Sequence, residues 1–145
     1  MKSSRLSCIS AVALSALISP AFVGGTALAD PKGLWQAQDG ATVRVTSCGQ
    51  GVCAKLASTK SQVDPATGGA WTDKNNPDPA MRARPLVGVQ VFAMVPDGPG
   101  KWSGQLYNVD NGQTLPGHVV EIDPNTIRVE GCVGICGGQN MRRLQ

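Results

Sequence analysis

The chain has 145 residues, of which 41% are hydrophobic, 4% aromatic and 16% charged, and its formal net charge is +3. This length suits one domain. The Lys and Arg residues are scattered, whereas disordered tails, coiled coils and nucleic-acid-binding proteins need runs of charge, so the composition argues against those classes.

The segment 1–29 has the pattern of a cleavable export signal. A short basic start precedes an apolar stretch at about 9–23, and small residues within 26–29 lead to a cleavage site before Asp30. The stretch is shorter than the roughly 20 residues of a transmembrane helix, so a retained membrane anchor is the minor alternative. Loss of this segment leaves a net charge of about +1, which does not attract nucleic acid or anionic lipid. We therefore predict a single exported domain over 30–145 that is not anchored in a membrane.

Strands are predicted from Gly33 onward, because apolar residues then recur at every second position. The first strand begins at Leu34 and Trp35. Asp39-Gly40 is a strong hairpin signal and leads into a second strand at 41–47. A third strand at 52–56 completes a hairpin with the second strand.

Four cysteines follow the export signal, at Cys48, Cys53, Cys132 and Cys136, and they permit three pairings. An oxidising compartment favours disulfides, and the short separations predict the local bridges Cys48–Cys53 and Cys132–Cys136. Zinc sites and redox dithiols usually space their cysteines by two residues, and these spacings are four and three. We regard both sites as minor alternatives and predict no metal and no cofactor.

A long loop at 60–84 interrupts the alternation. Irregular connections of more than about 15 residues are uncommon in compact domains and are usually functional, packed or disordered. The following stretch, 85–94, is apolar on both faces, as expected of a strand that the core covers on one side and the loop on the other.

The rest of the chain predicts four more strands, separated by short turns. Such connections favour antiparallel pairing of sequential strands, and eight strands cover their edges best by closing into a barrel. We therefore predict an all-β fold, an antiparallel up-and-down eight-stranded barrel with one long loop and no helix. The last four strands are predicted at 101–108, 114–122, 126–130 and 140–144.

The long loop carries the most specific group of polar residues in the chain. Arg82 and Arg84 point to the same side as they approach Pro85, and their planar guanidinium groups suit carboxylates. They either bind an anionic ligand or pair with acidic residues of the loop and fold it onto the barrel, and we favour the second interpretation. The other polar residues of the group are Asp73, Asn75, Asn76 and Asp78.

His118 is the only histidine in the chain. Its parity matches that of Val120 and Ile122, so we predict that it points inward, either bonded to backbone near a kink at Pro116 or in contact with a ligand. We predict no enzymatic activity, because no nucleophile elbow, phosphate-binding loop or paired-histidine motif is present. A remote enzymatic alternative would use Asp73 and His118 as acid and base.

The loop sequence from Asp73 to Gly88, DKNNPDPAMRARPLVG, resembles the exported bacterial family catalogued as domain of unknown function 2147. Four further stretches agree with that family: 33–35, 48–53, 102–108 and 129–132. Together they extend over nearly all of the chain after the export signal. The resemblance implies a small lipocalin-like or calycin-like β-barrel in the periplasm, with no established activity.

We predict a non-enzymatic periplasmic protein whose barrel binds a small apolar or amphipathic ligand. Arg82 and Arg84 are expected at the mouth, where they would meet a carboxylate head group. The alternative is a structural or interaction module of the cell envelope, with a solid core and the 60–84 loop as its contact surface. We expect no nucleic-acid partner and no stable membrane insertion after signal cleavage. The predicted lining residues are Val89, Phe92, Trp102, Leu106 and His118.

Overall fold

The computed structural model describes residues 30–145, so the predicted export signal at 1–29 lies outside the described residues. Eight antiparallel strands form a closed barrel, which confirms the predicted fold. The strands are β1 Gly33–Gln36, β2 Thr42–Cys48, β3 Gly51–Ser58, β4 Gln90–Pro96, β5 Lys101–Asn108, β6 Gln113–Asp123, β7 Thr126–Val133 and β8 Ile135–Arg143.

Each strand pairs with the next one along the chain, and β1 closes the barrel against β8. The closing contact is short, since only Trp35 and Gln36 of β1 have partners on β8. Within residues 30–145, helix is limited to one turn of 3-10 helix at Pro79–Met81. The described residues contain no helix with the length and apolar character needed to cross a membrane.

The starts of two strands differ most from the sequence prediction. β4 begins at Gln90, because Pro85 instead forms an isolated bridge with Thr72 and the chain up to β4 remains part of the long loop. β8 begins at Ile135, because β7 and β8 pair up to the tip of their hairpin. The glycine-rich start of β8 lacks apolar alternation, which is why the sequence pattern missed it.

The barrel has two different ends because its strands alternate in direction. The β1–β2, β3–β4, β5–β6 and β7–β8 connections lie at one end, which we call the loop end. The other three connections lie at the opposite end, together with residues 30–32 and 144–145, and we call it the terminal end. The long loop, residues 59–89 between β3 and β4, therefore belongs to the loop end.

The core follows the period-two alternation of the strands. Val43 and Val45 on β2 are buried, and so are Ile127 and Val129 on β7, as their parity predicted. Further inward-facing core residues are Trp35, Ala54, Leu56, Phe92, Met94, Trp102, Val119 and Met141.

The terminal end is closed around Trp35, which is completely buried. Its indole Nε1 donates a hydrogen bond to the Pro31 carbonyl at 2.8 Å. The guanidinium of Arg143 lies 4.2 Å from the centre of the indole ring and donates to the carbonyls of Asp30 and Pro124. These contacts join the segment before β1, the β6–β7 turn and the end of β8 around one aromatic side chain.

The two predicted disulfides are present, one at each end of the barrel. Cys48–Cys53 joins β2 to β3 at the terminal end, with its Cα atoms 5.7 Å apart. Cys132–Cys136 joins β7 to β8 at the loop end, where the two residues face each other in register with their Cα atoms 4.0 Å apart. Each bridge therefore stabilises one hairpin rather than linking distant parts of the chain.

Candidate functional site

A cavity of about 350 Å³ lies at the loop end of the barrel. It continues the barrel interior outward, and its volume falls in the range of small-molecule sites. Six strands contribute apolar side chains to its inner part: Val43, Leu56, Phe92, Leu106, Val129 and Met141.

The outer part of the cavity combines aromatic and charged side chains. Trp71 and Leu86 contribute from the long loop, so this loop forms a wall of the cavity as well as a connection. The Lys60 ammonium lies 5.0 Å from the centre of the Trp71 ring, within the range of a cation–π contact. Asp39 and Asp110 also line the cavity and come from the β1–β2 and β5–β6 turns. The arrangement is an apolar interior with a charged outer part.

Two facing glycines form part of the wall between β7 and β8. Gly131 and Gly137 are register partners and both line the cavity. A Cβ atom at Gly131 would lie 2.5 Å from the Leu115 side chain and 3.1 Å from that of Leu106. A Cβ atom at Gly137 would meet nothing within 4 Å. The missing side chain at Gly137 therefore leaves space open in the wall of the cavity.

The long loop is fastened to the barrel through Asp73, whose side chain is completely buried. The carboxylate accepts hydrogen bonds from the Tyr107 hydroxyl on β5 at 2.6 Å and from the Asn76 amide at 2.8 Å. It also accepts two from the Arg84 guanidinium, the shorter at 2.7 Å. Arg84 is thus committed to a carboxylate of its own loop.

The electrostatics of this contact favour an ionised Asp73. Burial opposes ionisation, but the hydrogen bonds from Tyr107, Asn76 and Arg84 outweigh it and hold the pKa of Asp73 below its usual value. Burial and the neighbouring Asp73 carboxylate raise the pKa of the Tyr107 hydroxyl, which therefore stays protonated as the donor.

A second contact joins the loop to the β5–β6 turn. The Asn75 side chain donates to the Asp110 carbonyl at 2.7 Å. Gly112 in this turn has a φ of +72°, and a Cβ atom there would overlap the Asn75 carbonyl. Glycine is therefore required by both the conformation and the close approach of the loop.

The remaining polar residues of the loop also make local contacts. The Arg82 Nε donates to the Asn76 carbonyl at 2.8 Å. Asp78 accepts from the Ala80 backbone N–H and caps the 3-10 helix, and no arginine contacts its side chain within the described residues. Arg82 and Arg84 were expected at the mouth of the cavity, but both lie outside its lining.

The expected lining residues divide into two groups. Phe92 and Leu106 line the cavity and are register partners on β4 and β5. Val89 and Trp102 are buried in the core but lie outside the cavity lining. Trp102 is nearer the terminal end of its strand than Leu106, so it fills the barrel where Leu106 borders the open space.

His118 points outward, and the predicted inward orientation is wrong. Val119, at 1% exposure, occupies the inward position and pairs with Trp102 and Val129 on the neighbouring strands. Ile122, used to predict the parity, is 55% exposed. Two consecutive valines made the alternation of β6 ambiguous, and packing against the neighbouring core residues decides it.

On the outer wall of the barrel, His118 lies between a carboxylate and a disulfide. Its Nε2 is 2.5 Å from the Glu130 carboxylate, and its Nδ1 is 3.7 Å from the Cys132 Sγ. The hydrogen bond from Arg128, followed by that from His118, holds the pKa of Glu130 below its usual value. The donor atoms of His118, Cys132 and Cys136 lie within 4.8 Å of one another, but the two sulfurs are bonded together and offer no thiolate to a metal ion.

Several cavity residues were not identified from the sequence. Trp71 and Lys60 lie in the irregular loop, where no periodicity indicates direction. Met141 was placed in the predicted last strand, but no inward or outward direction was assigned to it. Gly137 contributes to the cavity because it has no side chain to fill the space, and the alternation of apolar residues gives no signal for such a position.

Comparison with known proteins gives one family and one solved structure. Residues 33–143 match the model of a family described as an uncharacterized protein conserved in bacteria, DUF2147. The fold is similar to that of HP1028 from the human pathogen Helicobacter pylori, described as belonging to the lipocalin family, with a TM-score of 0.68 and 20% identity over 81% of this chain and 84% of that one. No curated protein matches the sequence. The barrel is thus lipocalin-like, and because the family match covers most of its length, the chain belongs to the DUF2147 family.

Proposed function

We propose that this protein is an exported, non-enzymatic binding protein that holds one small apolar or amphipathic ligand in the cavity at the loop end. The observation that carries the proposal is the cavity itself, about 350 Å³ with an apolar interior and a charged outer part. An eight-stranded barrel can either fill its interior with side chains or leave room for one small ligand. Here the terminal end is filled and the loop end is not.

The shape of the lining indicates how such a ligand would lie. At about 30 Å³ for each water-sized group, the cavity holds on the order of a dozen non-hydrogen atoms. An apolar tail would contact Phe92, Leu106 and Met141, and a polar head would stay near Lys60. Because Arg84 is neutralised by Asp73, Lys60 replaces the arginines as the proposed partner of an anionic head group.

Two further features support the export and binding roles. The two disulfides fit an oxidising compartment such as the periplasm, in agreement with the predicted export signal. Asp73 and His118, the remote acid–base pair, both lie outside the cavity lining. A bound molecule would therefore meet neither group.

Binding can be measured with 1-aminoanthracene, a small neutral probe whose fluorescence rises in an apolar site and whose size is close to that of the cavity, and with dodecanoate as competitor. Gly137→Leu places a side chain in the open space of the wall and should weaken binding at least tenfold. Gly69→Leu is the matched control, because Gly69 is exposed in the long loop outside the cavity lining, and it should bind as the wild type does.

The role of Lys60 is tested by comparing a charged and an uncharged competitor. Lys60→Gln should weaken displacement by dodecanoate several-fold and leave displacement by dodecanol unchanged, because only the carboxylate loses a partner. A wild-type protein that binds neither the probe nor any added mass in native mass spectrometry would overturn the binding function. Equal affinity in wild type and Gly137→Leu would move the site elsewhere.

A further inference from the structure

The Cys132–Cys136 disulfide differs from the other bridge in its surroundings. It lies on the β7–β8 hairpin, with Cys136 exposed and Cys132 half-buried. The Cys132 Sγ is 3.7 Å from the His118 Nδ1 on β6. Because this histidine is the only one in the chain, Cys48–Cys53 has no such neighbour. The two bridges close loops of nearly equal length, with sequence separations of 4 and 5, so loop size does not distinguish them.

We propose that Cys132–Cys136 is a thiol-exchange site at which a low-molecular-weight thiol attacks the Cys136 sulfur and expels the Cys132 sulfur toward His118. Exchange requires an accessible sulfur for attack and a stabilised sulfur as leaving group. The exposed Cys136 supplies the first, and the Cys132 sulfur beside the imidazole supplies the second. The inference does not depend on the proposed ligand.

The orientation of His118 suits this role. The Glu130 carboxylate accepts the Nε2–H, at 2.5 Å, and thereby directs Nδ1 toward the Cys132 sulfur. Arg128 binds the other oxygen of Glu130 and keeps that carboxylate ionised. When His118 is protonated at both nitrogens, its Nδ1–H faces the departing sulfur and stabilises the thiolate.

Charged groups on the neighbouring strands complete the surroundings of His118. On β7, Glu130 and Arg128 form an ion pair, and Asn140 on β8 accepts a hydrogen bond from the same arginine. Toward β5, the register partner of His118 is Ser103, whose hydroxyl donates to Asp97. Asp97 also pairs with Lys101 at 3.6 Å. Each carboxylate near His118 thus has a cationic partner of its own.

The exchange balances without any further reagent. A thiolate RS⁻ forms a bond to the Cys136 sulfur while the Cys132–Cys136 bond breaks, which leaves R–S–S–Cys136 and a Cys132 thiolate. A second RS⁻ attacks the sulfur of the bound R group, releasing RSSR and a Cys136 thiolate. Two thiols lose two electrons, the protein disulfide gains them, and protons from His118 and solvent neutralise the thiolates as the pH dictates.

The experiment uses the oxidised, full chain with glutathione as the thiol. Reactions are run at a series of pH values between about 5.5 and 8.5 and are quenched with an alkylating reagent at timed intervals. The state of each cysteine is then assigned by peptide mass spectrometry. We expect Cys132–Cys136 to open about tenfold faster than Cys48–Cys53, with the glutathione adduct on Cys136. His118→Gln should remove most of this difference while leaving the rate at Cys48–Cys53 unchanged.

A second pair of variants separates proton transfer from a purely structural effect. Cys136→Ser leaves Cys132 as a free thiol beside His118, and Cys132→Ser leaves Cys136 as an exposed free thiol. The rate of alkylation against pH should show a more acidic thiol at Cys132 than at Cys136, and His118→Gln should abolish the difference. The proposal would be overturned if both bridges opened at equal rates in the wild type or if the glutathione adduct formed on Cys132. It would also be overturned if His118→Gln left the pH dependence of Cys132 alkylation unchanged.

Discussion

The two ends of the barrel are built from the same antiparallel strands but are closed in different ways. At the terminal end, Trp35 fills the interior and Arg143 covers it with carbonyl contacts to adjoining segments. At the loop end, the long loop is fastened to the outside of the barrel through Asp73 and leaves a cavity beneath it. Stability and the proposed ligand binding are therefore assigned to opposite ends of one closed sheet.

This difference explains why one chain can hold a stable barrel and an open site. A filled end keeps the strands in register, while polar contacts hold the loop as a wall without filling the space inside. The fastening residue Asp73 lies on the loop and its partner Tyr107 lies on β5, so the wall is anchored at one side of the cavity. Substitutions at the two ends should consequently separate stability from binding.

The largest effect is expected for Trp35→Ala. Removing this completely buried side chain should lower the free energy of unfolding by about 3–5 kcal/mol in urea denaturation. Trp71→Ala is the comparison at the loop end, where the ring is only half-buried and lines the cavity. It should weaken probe binding with a much smaller loss of stability. A small effect of Trp35→Ala would contradict the division between the two ends.

The next largest effect is expected for Asp73→Asn. The amide nitrogen of asparagine cannot accept the hydrogen bonds that the carboxylate takes from Tyr107 and Arg84, and the Arg84 charge loses its partner. We expect a loss of about 2–4 kcal/mol, together with faster hydrogen exchange in the loop than in the strands. Asp78→Asn is the control, because its carboxylate contacts no arginine among residues 30–145, and asparagine can keep the cap that Asp78 provides. Uniform loosening of all strands would contradict a local role.

Acid should weaken the contact between the long loop and the barrel, because this contact depends on the ionised Asp73 carboxylate. Because the folded protein lowers the pKa of Asp73, the ionised carboxylate contributes stability that is complete above the ordinary value of 3.8 and is lost as the pH falls through the lowered one. The fold also lowers the pKa values of several other carboxyl groups. The quantity to compare is therefore the difference in the free energy of unfolding between wild type and Asp73→Asn. That difference should shrink on acidification below about pH 4, and a constant difference would show that Asp73 is not ionised in the fold.

The barrel could be predicted because its alternating residues and turn signals are local. Asp39-Gly40 and the Val43/Val45 parity mark β2, and the short cysteine separations predict both bridges. The start of β8 was missed because glycines at 137 and 138 carry no alternation. The orientation of His118 was mispredicted because consecutive valines at 119 and 120 allow either parity, and only the packing of neighbouring strands decides between them.

The cavity was harder to predict than the fold, since it depends on where side chains stop filling the barrel. Trp102 and Leu106 share one face of their strand, but only Leu106 lines the cavity. Val89 and Phe92 were expected in a stretch that is apolar on both faces, and only Phe92 lines the cavity. Arg82 and Arg84 were expected at the mouth because the sequence shows that they are charged and close together but does not show which group each of them contacts. The Asp73–Arg84 contact spans an irregular segment, and no local pattern specifies that geometry.

The smallest effect is expected for Tyr107→Phe, which removes only the hydroxyl that Asp73 accepts at 2.6 Å. We expect a loss of about 1 kcal/mol, because the carboxylate keeps its bonds from Asn76 and Arg84. The double variant with Asp73→Asn tests whether the two residues act together: since the hydroxyl has already lost its ionised acceptor, the second substitution should cost less than it does alone. Strict additivity would mean that the Tyr107 hydroxyl and the Asp73 carboxylate do not interact, and the Asn75 contact to the β5–β6 turn would then be the attachment of the loop on that side of the cavity.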